Sequence, residues 1–439
     1  MAAEHLKEAP GSPPDRDEQT RATVEGMLAT IEREGETAVR RYSRDLDGWD
    51  PGSFLVPPDE ALAAGEGLPA QVRDDIAFAY DNVRVFAERQ RASLADFEME
   101  IRPGLVAGQR HVPVDVAGCY VPGGRYAHVA SALMSVATAR AAGVPFVVAA
   151  APPRPEGGLH PATLYAMAHA GADAILCLGG VQAIGAMAFG LVTGRPADVL
   201  AGPGNRFVAE AKRLLYGRVG IDLFAGPTEV LVLADGEADA HIAATDLVSQ
   251  AEHGPESAAV LVTTSRRLGE EVLETVPRLV AELPAPAREA AEAAWRDFGE
   301  VVLAQTRDEA ADLCDEYASE HVEILAADPD WWRDRLRCYG TLFLGEETTV
   351  TYGDKASGPN HILPTRRAAR YTGGLWVGKF LKTLTWQTMT REASREVGAV
   401  AARISRVEGM EGHARSGDVR LVKYDPRQRI DTAGGEGSE

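Results

Sequence analysis

Between Thr23 and Tyr42 apolar residues return every three to four positions against a charged background, the spacing of an amphipathic helix, and Asp59 to Phe97 carries at least two more. From Gly104 the texture changes. Short, largely apolar runs alternate with helical ones: strand Val112 to Tyr120, helix Ser131 to Ala142, strand Phe146 to Ala151, helix Pro161 to Ala170, strand Ala174 to Leu178, helix Val181 to Phe189. A second alternating set follows, with strands at Glu229 to Leu233 and Ala258 to Thr263 around a helix at Asp239 to Glu252, then a helix at Asp308 to Glu320 and a strand at Val322 to Leu325. The chain closes with a helix over Thr388 to Ile404 and a basic, strand-like stretch, Val419 to Tyr424. Met1 to Arg16 and Thr432 to Glu439, polar and rich in Gly or Pro, read as mobile.

Strands that are apolar on both faces need cover on both sides, and right-handed crossovers then make each sheet mainly parallel. Two such sets predict an α/β protein with a cleft between two bodies. Ligands in such sheets bind beyond the carboxyl ends of the strands, so chemistry is expected in the loops there. The C-terminal segment is too short to stand alone and should pack on something.

Composition narrows the function classes. The 439 residues include 45 Lys and Arg against 65 Asp and Glu, a net charge of −20, and that long-range field opposes a polyphosphate partner. The most apolar runs, Val144 to Ala151 and Ala183 to Val192, fall far short of the roughly 20 residues a membrane span needs. Met1 to Arg21 has no apolar stretch of signal-peptide type, so a cytoplasmic protein is expected. Cys119, Cys177, Cys314 and Cys338 are widely spaced, form no CxxC pair and read as buried thiols.

Gly-rich turns at Val121–Gly124, Leu178–Gly180 and Ala201–Asn205 either bring backbone N–H groups close to a ligand or are plain tight turns; no GxGxxG follows a strand. Gln250 and His253 share one helix face ahead of the terminating Gly254-Pro255. Glu320-His321 stands where a helix gives way to a strand, an acid beside an imidazole, the types that divide general acid/base work. Asp354 and His361 flank a Gly/Ser-rich loop, and Glu408 and His413 bracket Gly409 and Gly412. Gln, His and Asp side chains are donors zinc accepts, although their spacing matches no local signature such as HExxH; composition leaves a scattered metal site open beside a structural reading of each residue.

The segments Gly118–Gly124, Ala201–Asn205, Ala225–Glu229, Ser249–His253, Ser319–His321, Ser357–Pro364 and Glu408–His413 stand in the order seen in the histidinol dehydrogenase family, which the chain resembles from about Thr23 to about Arg420. The resemblance implies a zinc- and NAD-dependent dehydrogenase that takes a primary alcohol through an aldehyde to a carboxylate with two NAD in succession. Zinc would be held by Gln250, His253, Asp354 and His413, the last from a partner subunit, so a homodimer with shared active sites is implied. Glu320 and His321 would be the catalytic pair. Thr228, His361 and Glu408 match substrate-touching positions, and Tyr120, Gln182 and Asn205 match positions that hold NAD. The implied fold is two Rossmann-like doubly wound domains, residues 23–119 with 227–372 and residues 120–226, with a mobile segment 1–22 and a swapped or dimer-packing segment 373–439.

Three stretches depart from the histidinol-oxidising pattern. Thr228 stands where those enzymes carry Ser, and the runs Gly124–Ser131 and Ala369–Thr383 differ from theirs. These stretches look like the branch typified by sulfopropanediol 3-dehydrogenase, which oxidises a terminal hydroxyl of dihydroxypropanesulfonate. A buried sulfonate needs charge-assisted donors, for which Arg125, His128, Lys355 and Lys379 are the candidates; each also reads as a surface charge. L-Histidinol is the alternative substrate. A non-catalytic small-molecule binder on the same scaffold is the alternative of another class.

Overall fold

The computed structural model describes residues 3–10, 18–123, 126–425 and 427, so the expectations for Arg125 and for the tail 432–439 lie outside the described residues. The chain forms two compact units, Met1–Arg91 with Pro113–Phe380 and Ala92–Val112 with Leu381–Glu439.

The first unit holds two six-stranded sheets. One runs Glu4–Lys7, Gly299–Leu303, Ala258–Thr263, Glu229–Ala234, His321–Leu325, Thr341–Leu344, and only its first strand is antiparallel. The other runs Leu55–Val56, Ala174–Cys177, Phe146–Ala151, Val116–Tyr120, Val199–Ala201, Gly220–Ile221, again with one antiparallel edge. Both follow one plan. The first parallel strand in the chain lies central, the next two extend to one side, the last two to the other.

The inner strands of the first sheet are buried on both faces, as their apolar runs require. Val230, Val232 and Ala234 join the core beneath helices Ala240–Ala251 and Arg266–Glu282, while Leu231 and Leu233 join the opposite core with Cys314 and Trp332. In the other sheet, Tyr120, Val148 and Leu176 share a core with Val24, Leu28 and Ile31. The N-terminal helices therefore pack on the sheet containing residues 120–226, not on the body with which residues 23–119 were grouped. Their apolar stripe meets helices Gly180–Ala188 and Arg206–Leu215 there.

Three further expectations are corrected. The helix expected over Thr23 to Tyr42 is two, Glu18–Glu34 and Glu36–Asp47, because Gly35 turns the chain at φ +62°, a conformation that side chains with a Cβ resist. The mobile start includes a strand, Glu4–Lys7, pinned by register with Gly299–Leu303 and by a 2.5 Å bond from Lys7 Nζ to Gly299 O. The strand-like Val419 to Tyr424 is the end of helix Glu411–Lys423.

The second unit contains a three-stranded sheet in the order Leu381–Met389, Leu105–Pro113, Phe97–Arg102, and helices Arg391–Val407 and Glu411–Lys423. Small residues let these helices meet closely. A Cβ on Gly417 would come within 2.7 Å of Gly398 O, so helical packing between small residues outweighs the Val419/Leu421 alternation. No helix among the described residues is long and apolar enough to cross a membrane.

Candidate active site

Strands Glu229–Ala234 and His321–Leu325 are parallel neighbours with Val230 opposite His321, so the residues just ahead of them are brought side by side. Thr228 Oγ1 donates to Glu320 Oε2 at 2.6 Å, the Glu229 amide donates to the same oxygen at 3.0 Å, and Thr228 Oγ1 lies 3.3 Å from Gln250 Oε1. Gln250 arrives on helix Ala240–Ala251, whose N-terminus is capped by Asp239, and His253 follows just past its end. Asp354 arrives on the short helix Val350–Lys355 and puts Oδ1 3.7 Å from His321 Nε2; Glu320 Oε2 is 3.8 Å from that nitrogen.

His361 ties this cluster to the other sheet. Its Nδ1 is 2.8 Å from the Asp354 carbonyl, which can only accept, so Nδ1 carries the proton and the neutral ring's Nε2 accepts from Ser131 Oγ at 2.8 Å. Ser131 lies in the first turn of helix Val129–Ala141, which follows strand Val116–Tyr120.

Two helices bearing candidate ligands are held from behind by acids. Asp246, one turn before Gln250, accepts from Thr349 Oγ1 at 3.0 Å, and Glu323 Oε1, two residues beyond His321, accepts from the Val350 amide at 2.6 Å. Glu323 Oε2 is buried without a hydrogen-bond partner, and Asp246 is its acidic neighbour, an arrangement that one shared proton satisfies.

The cluster lies at the amino ends of its strands, whereas carboxyl ends were expected. At the carboxyl ends of the second sheet stand the residues matched to cofactor binding. Tyr120 Oη accepts from the Gly180 amide at 3.1 Å, and Gln182 Nε2 donates to Asp47 Oδ2 at 2.7 Å while its Oε1 is buried without a partner. Asn205 Oδ1 caps helix Arg206–Leu215 through the amides of Phe207 and Val208.

A model of the histidinol dehydrogenase family matches residues 12–421. The chain belongs to the histidinol dehydrogenase family. A protein named histidinol dehydrogenase homolog from Ruegeria pomeroyi is 57% identical over 97% of this chain and 98% of its own. Sulfopropanediol 3-dehydrogenase of the same organism is 53% identical over 99% of this chain and 100% of its own, and histidinol dehydrogenase of Methanosarcina mazei is 38% identical over 90% of each. The crystal structure of histidinol dehydrogenase from Elizabethkingia anophelis matches with a TM-score of 0.88 at 30% identity, covering 94% of this chain and 95% of that one. The chain is thus an enzyme, an oxidoreductase with the α/β fold of that family.

Burial sets the electrostatics of this histidinol dehydrogenase family member. It drives the Glu320 carboxyl well above its ordinary range, against the Thr228 hydrogen bond and with the Glu229 charge adding to it. It drives His321 down to about 4, against the pull of Asp354. Glu229 is pushed by burial up to about 7. Burial also raises Asp354, yet His321, His361, Lys355 and His253 together outweigh it and leave the group below its usual value, a carboxylate.

Of the cationic candidates, His128 lies in the field of His361, Lys355 and His253, with burial first among the causes that lower it to about 4. Lys355 Nζ is 3.6 Å from Asp354 Oδ2. Lys379 is not brought to this group: its Nζ donates to Thr372 Oγ1 at 3.1 Å and its charged neighbour is Asp222. Glu408 and His413 are exposed in the second unit. Sequence reasoning passed over Ser131, Asp246 and Glu323 as site residues. A hydroxyl opening the helix expected at Ser131 to Ala142, seven residues past the Gly-rich turn that ends at Gly124, was the one available signal for Ser131.

The donors at hand fit zinc in kind: the Gln250 amide, the His253 imidazole and the Asp354 carboxylate. They fall short in number, and among the described residues no three His, Cys, Asp or Glu form a metal cage.

Proposed function

We propose that this enzyme is a zinc- and NAD-dependent dehydrogenase that oxidises a small anionic polyol, such as 2,3-dihydroxypropane-1-sulfonate, at its primary alcohol through the aldehyde to the carboxylate. The observation that carries the chemistry is the divergence of two adjacent groups: His321 held neutral and Glu320 held protonated, 3.8 Å apart. Titratable neighbours pushed in opposite directions are how acid/base assignments are recognised. His321 accepts the alcohol proton as hydride leaves for the nicotinamide. His321 then releases that proton to solvent; the neutral imidazole takes the proton of Glu320, whose carboxylate draws one from the water adding to the aldehyde, and the imidazolium gives its proton to the former aldehyde oxygen, leaving His321 neutral to serve again as base in the second oxidation. Thr228 and the Glu229 amide hold Glu320 in place for this exchange.

Gln250, His253 and Asp354 would hold zinc, with His413 of the partner subunit completing four donors in a homodimer. Zinc, when bound, orients and polarises the substrate hydroxyl. The cavity of about 310 Å³ lined by Thr228, His253 and Ser257 has room for a small polyol. The two sheets would act as two Rossmann-like halves, with Tyr120, Gln182 and Asn205 on the NAD side, in a cytoplasmic enzyme.

For the substrate, the support is 53% identity to sulfopropanediol 3-dehydrogenase against 38% to the histidinol dehydrogenases, together with the Lys355 cation beside Asp354; His128, held neutral, would offer a hydrogen bond only. Arg125 stays in this proposal on the resemblance alone, and Lys379 would need to turn from Thr372. Histidinol is the second reading, favoured by the filled positions Glu320, His321, His361, Glu408 and His413. NADH formation by the purified enzyme with zinc and NAD decides. Dihydroxypropanesulfonate is expected to exceed L-histidinol by at least about 100-fold in kcat/KM, a few kcal/mol of discrimination. The reverse ranking selects histidinol, and no NADH from any alcohol without stoichiometric zinc selects a binding protein.

A further inference from the structure

Arg366 and Arg367 stand in succession in the left-handed region, at φ +54° and +62°, and among the described residues no other two consecutive residues with a Cβ do so. Side chains resist that conformation, and it persists only where the surroundings fix it. Here the turn is pinned to the segment that leads into strand Glu229–Ala234. Thr365, 1% exposed, takes the Gly226 amide on its Oγ1 at 2.7 Å, and the Arg366 amide donates to the Glu229 carboxyl. The Arg366 side chain is thereby laid across Gly226, where a Cβ would come within 3.0 Å of its Nε. Gly226 directly precedes Pro227 and Thr228, which line the cavity of about 310 Å³, and Thr228 is the residue that meets Glu320.

A cation held in this place stands out in a chain of net charge −20. Arg366, Arg367 and Arg370 fall within five residues, all three exposed and with no acid between them. A local patch of one sign raises the concentration of the opposite ion at the surface it borders. The planar guanidinium fork suits an anion that presents several oxygens, as a sulfonate does. Lys355 already faces Asp354 Oδ2 at 3.6 Å, so a sulfonate at this site calls for a further cation. Glu229 offsets the Arg366 charge only in part, because burial pushes its carboxyl up to about 7.

We infer that Arg366 is a specificity-determining residue for the substrate anion: its left-handed turn holds the guanidinium beside Gly226, where it takes the sulfonate while the far hydroxyl of the substrate lies at Glu320 and His321. This rests on the proposed oxidation of an anionic polyol, and it adds to that reading a residue outside Arg125, His128, Lys355 and Lys379.

The test compares dihydroxypropanesulfonate with glycerol, its neutral counterpart, on the full-length enzyme with zinc and NAD. Arg366→Gly should raise KM for the sulfonate by about 10- to 100-fold, the worth of a charge-assisted hydrogen bond, while KM for glycerol and Kd for NAD hold. Tm should hold or rise, since glycine takes this φ without strain, so lost sulfonate affinity cannot be put down to a damaged turn. Arg366→Gln, which keeps the length without the charge, should show the same loss, and Arg366→Lys should recover part of it. Parent-like KM for the sulfonate in the Gly and Gln variants, an equal rise for glycerol, or weakened NAD in place of weakened sulfonate overturns the inference. If the parent oxidises the sulfonate and these variants match it, the dehydrogenase reading stands and the role of Arg366 falls. If calorimetry shows the sulfonate binding in an Arg366-dependent way and the parent forms no NADH from it, the anion seat stands and the dehydrogenase reading falls.

Discussion

Glu320 and His321 are neighbours in the chain, yet alternation along the strand edge gives them different partners. Glu320 spends one oxygen on Thr228 and the Glu229 amide, while His321 turns Nε2 toward Asp354 and leaves Nδ1 buried without a partner. Roles split accordingly, and so should the variants. His321→Gln is expected to lower kcat for both oxidations by 10²- to 10⁴-fold, the range for loss of a positioned base, with zinc content and NAD affinity kept. Glu320→Gln should slow the aldehyde step far more than the alcohol step, so that a hydrazine trap collects aldehyde from the variant and little from the parent. Equal slowing of both steps would assign Glu320 a role in holding His321 alone. Ser131 would contribute through His361, donating to the Nε2 that the Asp354 carbonyl leaves unprotonated. Ser131→Ala should raise KM or lower kcat only several-fold, since the Asp354 carbonyl still orients the ring.

At the scale of elements, the site is a junction of two helices and two strand starts, and the buried acids behind it set their spacing. Asp246 holds Thr349 on the turn into helix Val350–Lys355, and Glu323 holds the first amide of that helix. Burial, then the charge of Asp246, pushes the Glu323 carboxyl up to about 8. The folded enzyme therefore keeps a proton that the unfolded chain releases near its ordinary value of 4.5, and stability falls as pH rises through that window. Glu323→Gln has no such proton to lose. Its stability relative to the parent should improve between pH 6 and 8 by up to about 1 kcal/mol per unit, read as Tm by calorimetry; a difference independent of pH would sink the shared-proton account. How legible these elements were follows from their burial. Strands such as Phe146–Ala151 announce themselves by being apolar throughout, because both faces are covered. Leu381–Met389 left no such signal, being largely exposed, and Glu4–Lys7 owes its order to a partner almost 300 positions away, Gly299–Leu303. Glu320-His321 was readable as an acid beside an imidazole; its place at the amino ends depends on which loops from the other sheet approach it, and no local pattern records that.

For the whole molecule, the second unit poses the remaining question. Its strand Phe97–Arg102 exposes Phe97, Met99 and Ile101, and Leu384, Trp386, Val400, Ile404 and Val407 are exposed on its other elements. So much outward apolar surface marks an interaction face, and the exposed Glu408 and His413 belong to the same unit. A homodimer would bury that face and complete the zinc donors, each protomer lending His413 to the other's Gln250, His253 and Asp354. The net charge of −20 would bear on this as well, since two like-charged protomers would repel and their contact would need to be apolar enough to overcome it. Sites shared in such a dimer would make a quantitative prediction. His321→Ala and His413→Ala variants should each be inactive as pure dimers. After dissociation and reassembly of an equal mixture, half the dimers are hybrids, and in each hybrid one site carries both lesions while the other carries neither. Activity should return to about a quarter of the parent's, with half the hybrid's zinc sites filled. If every site were built from one protomer, each site in the mixture would keep its own lesion and no activity would return.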